Sequence, residues 1–88
     1  MAHRVEFTPA AQRELRALDG EIHRRVAAAI DDLADDPRPP GVKQMHGKAP
    51  DVWRIRVGDY RVLYRIRDDV LTVLVVKIGH RREVYRRR

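Results

Sequence analysis

Residues 52–67 read VWRIRVGDYRVLYRIR, and this stretch decides the fold. Two runs rich in β-branched and aromatic residues, Val52–Val57 and Tyr60–Arg67, flank the dipeptide Gly58-Asp59. Polar and apolar residues largely alternate along both runs, which is the period of a strand with one buried face. A two-residue loop with glycine first suits a type II′ hairpin turn. The stretch therefore predicts an antiparallel β-hairpin.

The turn sets a register in which Val57 lies opposite Tyr60 and Arg56 lies opposite Arg61. One face of the hairpin is then apolar, and the other carries Arg54, Arg56, Arg61 and Arg65. Like charges placed directly opposite destabilise a sheet, by an amount comparable to the ~0.2–1 kcal/mol of a favourable cross-strand pair. Guanidinium groups make bidentate hydrogen bonds to phosphate oxygens. We interpret the arginine face as a polyanion-binding surface, the alternative being a solvated polar face.

Strand patterns also lie on both sides of the hairpin. Residues 71–78 (LTVLVVKI) are almost continuously apolar and predict a central strand covered on both faces. Residues 3–7 alternate as a short first strand does. Residues 37–51, rich in proline, predict an irregular connection, and residues 82–85 form either a short last strand or a tail.

Two helices are predicted between the first strand and the hairpin. Thr8-Pro9 is typical of a helix start, with a hydroxyl cap followed by proline at the first helical position. The first helix ends at Asp19-Gly20, and the second begins at about Glu21. Their apolar faces consist of Ala11, Leu15 and Leu18, and of Ile22, Val26, Ala29, Ile30 and Leu33. The order βααβββ predicts an α+β fold, an antiparallel sheet of about four strands packed on a helical hairpin, in one domain over residues 1–88.

The charge of the chain is concentrated in its second half. The net charge is +6, but residues 1–52 carry 8 Lys and Arg against 9 Asp and Glu, whereas residues 53–88 carry 11 against 4. A local basic patch of this kind commonly meets phosphate, of RNA, DNA or a membrane lipid, although a merely soluble surface is the alternative. The sequence has no run of ~20 apolar residues that a membrane helix requires and no signal peptide, so we expect a cytoplasmic protein.

Cysteine is absent, which excludes disulfides and thiolate metal sites. The histidines His3, His23, His46 and His80 show no ligand spacing with carboxylates, and we expect neither a metal nor a cofactor. We interpret the first three as surface residues.

The segment after the central strand, KIGHRREVYR over residues 77–86, adds a histidine, further arginines and a tyrosine. Tyr85 is either a core residue at the sheet edge or, beside several arginines, a phenol whose pKa is lowered so that it serves as a general base.

These segments together resemble a known family. The hairpin VWRIRVGDYRVLYRI, the strand and tail LTVLVVKIGHRREVYR, and the helix opening FTPAAQRELRAL are similar to the RelE/ParE toxin superfamily, and specifically to its RelE branch. The likeness covers nearly the whole chain. It implies the toxin of a type II toxin–antitoxin system, a ribosome-dependent endoribonuclease that cuts mRNA in the A site. In such enzymes the RNA's own 2′-OH is the nucleophile, no metal is needed, and the product is a 2′,3′-cyclic phosphate.

The resemblance also implies roles for individual residues. Arg61 and Arg81 would stabilise charge on the scissile phosphate, and Tyr85 would stack on the substrate or take the 2′-OH proton. Arg54 and Arg56 complete the implied catalytic set. Further RNA contacts are expected from five residues of the basic half and the connection before it: His80, Arg65, Lys48, Arg82 and Lys43.

One departure from the family concerns proton transfer. The best-known members have lysines where this chain has Arg54 and Arg56, and arginine, with a pKa above ~12, is a poor proton donor or acceptor. These two residues are therefore expected to orient and neutralise phosphate. His80 becomes a candidate general acid, with a simple cationic contact as the alternative.

The implied partners are the ribosome with mRNA in its A site and a RelB-like antitoxin that wraps the toxin and covers its basic face. Two other functions remain open at this point. A ParE-like inhibitor of DNA gyrase has the same fold, and an inactive nucleic-acid-binding homologue would have much the same sequence.

Overall fold

The computed structural model describes residues 2–45 and 51–82. Five strands and two helices follow one another along the chain: β1 (Arg4–Phe7), α1 (Pro9–Arg16), α2 (Gly20–Asp32), β2 (Lys43–Gln44), β3 (Val52–Val57), β4 (Tyr60–Arg67) and β5 (Thr72–His80), with a 3₁₀ turn at Asp68–Val70 before β5. The strands form one sheet in the order β1-β5-β4-β3-β2. The α+β prediction is confirmed.

The sheet differs from the prediction in two ways. It has five strands, because the two-residue strand β2 lies within the connection expected to be irregular, and two residues are too few to display a period of two. It is also mixed, since β1 pairs with β5 in parallel while the other pairs are antiparallel. Alternation of side chains marks a strand but carries no information on the direction of its neighbour.

The hairpin of β3 and β4 matches the prediction in bounds and register. Val57 lies opposite Tyr60, Arg56 opposite Arg61, and Arg54 opposite Leu63. Gly58 has φ +59° and Asp59 does not have a positive φ, which is the pattern of a type II′ turn. The turn needs glycine at its first central position because side-chain-bearing residues rarely adopt that conformation.

Strand β5 begins and ends later than the sequence indicates. Leu71 lies outside the strand, with φ +48° at the end of the 3₁₀ turn, and Gly79 continues the strand to His80. The strand pairs with β1 on one side and β4 on the other, which confirms its central position. Among the described residues the helices cover only one of its faces, so the prediction of two covered faces is wrong. A β-bulge interrupts the β4–β5 register between Leu63 and Tyr64.

Both helices pack on one face of the sheet. The hydroxyl of Thr8 caps α1 by accepting a hydrogen bond from the Ala11 amide at 3.1 Å, with Pro9 at the first helical position. The core between the layers is formed by Ala11, Val26, Ile30 and Leu33 from the helical layer and Ile55, Val57, Val62, Tyr64, Val73, Val75 and Ile78 from the sheet. The opposite face of the sheet is left for the arginines.

Helix α1 also covers the edge of β5 beyond the end of β1. The Glu14 carboxylate accepts a hydrogen bond from the Ile78 amide at 2.8 Å, and its other oxygen lies 3.2 Å from the Lys77 ammonium. The Thr8 hydroxyl donates to the Val76 carbonyl at 3.4 Å. Covered edge groups are unavailable to another strand, so this contact protects the sheet from edge-to-edge pairing.

A polar cluster closes the end of the sheet away from the Gly58 turn. Asp68 accepts hydrogen bonds from Arg38 at 3.0 Å and from His3 at 3.1 Å, and these bonds hold the pKa of the Asp68 carboxyl below its ordinary value. The Arg38 guanidinium also lies 5.1 Å from the centre of the Trp53 ring. The prediction of His3 as a surface residue is wrong, because its side chain is only 11% exposed.

The hydroxyl of Tyr64 belongs to the same end of the molecule. It donates to the Pro37 carbonyl at 2.6 Å, and burial raises the pKa of this phenol above its ordinary value. This hydrogen bond joins the segment after α2 to strand β4. None of the helices in the described part of the chain is long and apolar enough to cross a membrane.

Candidate phosphate-binding site on the open face of the sheet

The confirmed register places the predicted arginines on one face. Residues directly opposite each other share a face, so Arg56 and Arg61 stand side by side, and Lys43 of β2 stands beside Arg54. The helices cover the other face, where the hydrophobic core lies. The sequence therefore predicted correctly that the hairpin separates an apolar from a basic side.

Arg61 is the most strongly positioned of these side chains. The residue is only 9% exposed, and its Nη1 donates to the carbonyl oxygens of Gly58 at 3.3 Å and of Tyr60 at 3.1 Å. Among the described residues, its Nε and Nη2 donate to no acceptor. One nitrogen thus holds the guanidinium, and Nε and Nη2 are the remaining donors, whose spacing matches two oxygens of a phosphate.

The neighbouring strand has no side chain directly opposite Arg61. On β5 the residue opposite Arg61 is Gly79, which has no side chain to fill the face at that point. Two residues further on, the Arg81 amide donates to the Asp59 carbonyl at 2.8 Å, which fixes the Arg81 backbone against the hairpin turn. The backbone positions of Arg56, Arg61 and Arg81 therefore lie together around Gly58-Asp59, although Arg81 is 20 residues beyond Arg61 in the sequence.

The charge balance at the turn favours an anion. Arg56 and Arg81 are exposed, and no carboxylate of the described residues forms an ion pair with either of them or with Arg61. A phosphate between Arg56 and Arg61 would relieve the repulsion that their direct opposition creates. The cluster can thus bind and neutralise a phosphodiester, but arginine is unsuited to carry its protons.

The other predicted contacts lie farther from the turn. Arg54 is half-buried on β3, two residues before Arg56 and directly opposite Lys43 of β2. Arg65 is engaged with Asp51, at 2.6 Å, so an RNA contact by Arg65 requires it to exchange partners. Arg82 is exposed just beyond β5.

His80 lies on the other face of β5. It is opposite Tyr60, and the two rings meet edge to face with their centres 5.7 Å apart. Its Nδ1 accepts a hydrogen bond from the Arg82 amide at 3.3 Å, which assigns the proton of the neutral ring to Nε2. This bond occupies Nδ1 and leaves Nε2 for any contact with substrate, and the role of His80 as a general acid stays a prediction.

Two predicted site residues, Tyr85 and Lys48, lie outside the described residues, and their roles stay predictions. One residue at the turn was missed by the sequence analysis. Arg25 of α2 approaches Gly58 from the helical side, with its Nη1 3.5 Å from the position that a Cβ of Gly58 would occupy. No sequence pattern relates residue 25 to residue 58, since only the packing of α2 on the sheet joins them.

Comparisons with known proteins agree with this architecture. Residues 5–85 match the model of the ParE toxin family of type II toxin–antitoxin systems (parDE). Toxin RelG from Mycobacterium tuberculosis is 36% identical over 88 residues, which is 99% of this chain and 100% of that protein.

Two solved structures are also similar. In the crystal structure of the M. tuberculosis toxin–antitoxin complex RelBE2, the matched chain has 31% identity and a TM-score of 0.81, over 91% of this chain and 99% of that one. In the archaeal RelE–RelB complex from Pyrococcus horikoshii, the matched chain has 27% identity and a TM-score of 0.80, over 94% of this chain and 99% of that one. The chain therefore belongs to the RelE/ParE family of toxins of type II toxin–antitoxin systems.

Proposed function

We propose that this toxin is a ribosome-dependent endoribonuclease that cuts mRNA in the A site. The observation that carries the proposal is the convergence of Arg56, Arg61 and Arg81 on the Gly58-Asp59 turn, with the Arg61 guanidinium held by two carbonyl oxygens. A preorganised cation of this kind stabilises the charge that develops on a phosphate during reaction and needs no rearrangement when the reaction occurs.

In the proposed reaction, the 2′-OH of a nucleotide attacks the adjacent phosphorus, and the bond from phosphorus to the 5′-oxygen breaks. The proton of the 2′-OH passes to a base, and the departing 5′-oxygen gains a proton, so the products are a 2′,3′-cyclic phosphate and a free 5′-OH. Arg61 and Arg81 neutralise the phosphate oxygens, while Arg54 and Arg56 orient the strand. Tyr85 is the proposed base. Because the RNA supplies the nucleophile and arginines supply positive charge, no step calls for a cofactor.

The proposed partners follow from charge and from the relatives. The ribosome would present mRNA to the basic half of the chain, and a RelB-like antitoxin would cover that half when the toxin is inactive. The structures from M. tuberculosis and P. horikoshii are complexes of related toxins with antitoxins, which supports this second partner. Co-expression with a RelB-like protein should give a stable complex that relieves growth inhibition.

The experiment that tests the activity is primer-extension mapping of a defined mRNA on stalled ribosomes and of the same RNA free in solution. We expect cleavage only within the A-site codon, and loss of cleavage with Arg61→Ala. Arg67→Ala is the matched control, because Arg67 lies on the same strand, is exposed, and stands at the end of β4 away from the turn. Cleavage in neither setting, or equal loss in both variants, would reject the proposal.

The match to the ParE family model favours inhibition of DNA gyrase as a second candidate. A supercoiling assay with purified gyrase separates the two. If supercoiling is blocked while translation proceeds normally, the chain is a gyrase inhibitor, and if neither process is affected, it is an inactive homologue.

A further inference from the structure

The hairpin turn is approached by a guanidinium from the helical layer. Arg25 is exposed on α2, and its Nη1 and Nη2 lie 3.5 and 3.9 Å from the position of a Cβ on Gly58. On the other side of the same residue, the Gly58 carbonyl oxygen is 3.3 Å from Nη1 of Arg61. With ordinary bond lengths within Gly58, these distances limit the separation of the two Nη1 atoms to roughly 10 Å.

The neighbouring residue on the same helix differs in its partner. Nη2 of Arg24 lies 2.9 Å from the Glu21 carboxylate, so its charge is compensated within one turn of α2. Within residues 2–45 and 51–82, Arg25 forms neither an ion pair nor a hydrogen bond. Asp59, in the turn that Arg25 approaches, forms no ion pair with any described residue either. The charge of Arg25 is therefore available to an external anion.

We propose that Arg25 binds a backbone phosphate of RNA close to the one held by Arg61, so that RNA is bound on both sides of the Gly58 turn. The proposal rests on the RNA-cutting function proposed above and adds to it a contact from the helical layer. A single strand carries a phosphate at every nucleotide, so a second phosphate lies close to any phosphate bound at Arg61. This contact anchors the strand and takes no part in bond breaking.

The shared chemistry is an RNA phosphodiester, and it has two sources: the mRNA or the ribosomal RNA around the A site. Two binding measurements distinguish them. One uses a short oligonucleotide with 2′-deoxy substitution at the cleavage site, which binds but cannot be cut, and the other uses ribosomes with an empty A site. Each measurement is repeated over a range of salt concentrations.

The test compares Arg25→Gln with Arg24→Gln, which removes the same charge from the adjacent position of the same helix. The logarithm of the binding constant falls linearly with the logarithm of the salt concentration, and each lost phosphate contact on a single strand makes this slope shallower by about 0.7. We expect Arg25→Gln to make the slope shallower by that amount and to weaken binding by roughly three- to tenfold at low salt. Arg24→Gln should leave the slope unchanged, and Arg25→Lys, which keeps the charge, should restore it.

On ribosomes, Arg25→Gln should raise KM while kcat stays close to the wild-type value, because a uniform binding contact is lost. A slope change only with empty ribosomes would assign the phosphate to ribosomal RNA, and a change with the oligonucleotide would assign it to the mRNA strand. Equal slopes for Arg25→Gln and Arg24→Gln in both measurements would overturn the proposal while the RNA-cutting function stands. If the wild-type chain binds and cuts no RNA at all, both proposals fall together.

Discussion

Replacing Arg61 by alanine should abolish cleavage while leaving the protein folded. Arg61 is the predicted phosphate ligand with the least freedom, since Nη1 is bonded to the carbonyls of Gly58 and Tyr60. Removing one preorganised donor from a site that stabilises developing negative charge typically lowers kcat by about 10²–10³-fold, or ~2.7–4 kcal/mol. Because the guanidinium would supply two donors to the phosphate, we expect a loss of at least this size.

The change in stability is the balance of three contributions. The two hydrogen bonds to the turn carbonyls each contribute ~0.5–1.5 kcal/mol, and the buried stem contributes ~0.8 kcal/mol for each methylene removed from water. Relief of the repulsion with Arg56 offsets these by up to ~1 kcal/mol. We expect a net destabilisation of about 2–4 kcal/mol, compared with the ~5–15 kcal/mol that stabilises an ordinary domain.

The assay is single-turnover cleavage on programmed ribosomes, with a thermal melt of each variant. Arg61→Lys keeps the charge and most of the stem, so it should melt near the wild type and recover only part of the rate. Arg67→Ala should retain both rate and melting temperature. An Arg61→Ala protein that melts cooperatively and cuts within threefold of the wild-type rate would refute the assignment of the phosphate site to this turn.

Three further predictions concern the fold that holds the site. Leu33→Ala should destabilise the protein by ~2–5 kcal/mol in urea unfolding, because Leu33 is 1% exposed and its removal opens a cavity; a loss below ~1 kcal/mol would contradict this packing. Tyr64→Phe should cost ~1–3 kcal/mol at neutral pH, since the Pro37 carbonyl loses its donor. Burial raises the pKa of Tyr64, so above pH ~10 the phenol of the unfolded chain loses its proton while the folded one keeps it. The free energy of unfolding of the wild type should therefore fall above that pH, and its difference from that of Tyr64→Phe should narrow. A constant difference from about pH 8 to 11 would count against this reasoning. Leu71→Asn should raise the melting temperature, because Leu71 is 38% exposed at φ +48°, a conformation that costs an ordinary residue ~1–2 kcal/mol and that asparagine tolerates; an unchanged or lower melting temperature would argue against strain at this residue.

The hairpin and its arginine face could be predicted because the information is local. A two-residue turn with glycine first fixes which residues are opposite, and a period of two then assigns every side chain to a face. Arg56 and Arg61 are close in sequence on either side of that turn, so the position of the turn alone predicts that they lie opposite each other. The cap of α1 at Thr8 is local in the same way.

The rest of the site depends on contacts between distant segments. His80 was expected to join the arginines, but the pairing of β4 with β5 puts it opposite Tyr60 on the helical side. The β2 strand and the parallel pairing of β1 escaped prediction because a strand's neighbour is chosen by the path of the whole chain.

The sequence by itself determined the α+β class, the register of the hairpin and the concentration of positive charge on one of its faces, since each depends on residues a few positions apart. Only the tertiary structure decided that Gly79 lies opposite Arg61, that the Arg81 amide donates to the Asp59 carbonyl, and that Arg25 approaches Gly58 from the helical layer. These contacts join residues 18 to 33 positions apart, and such distant residues meet only when burial of apolar surface packs the helices and strands together.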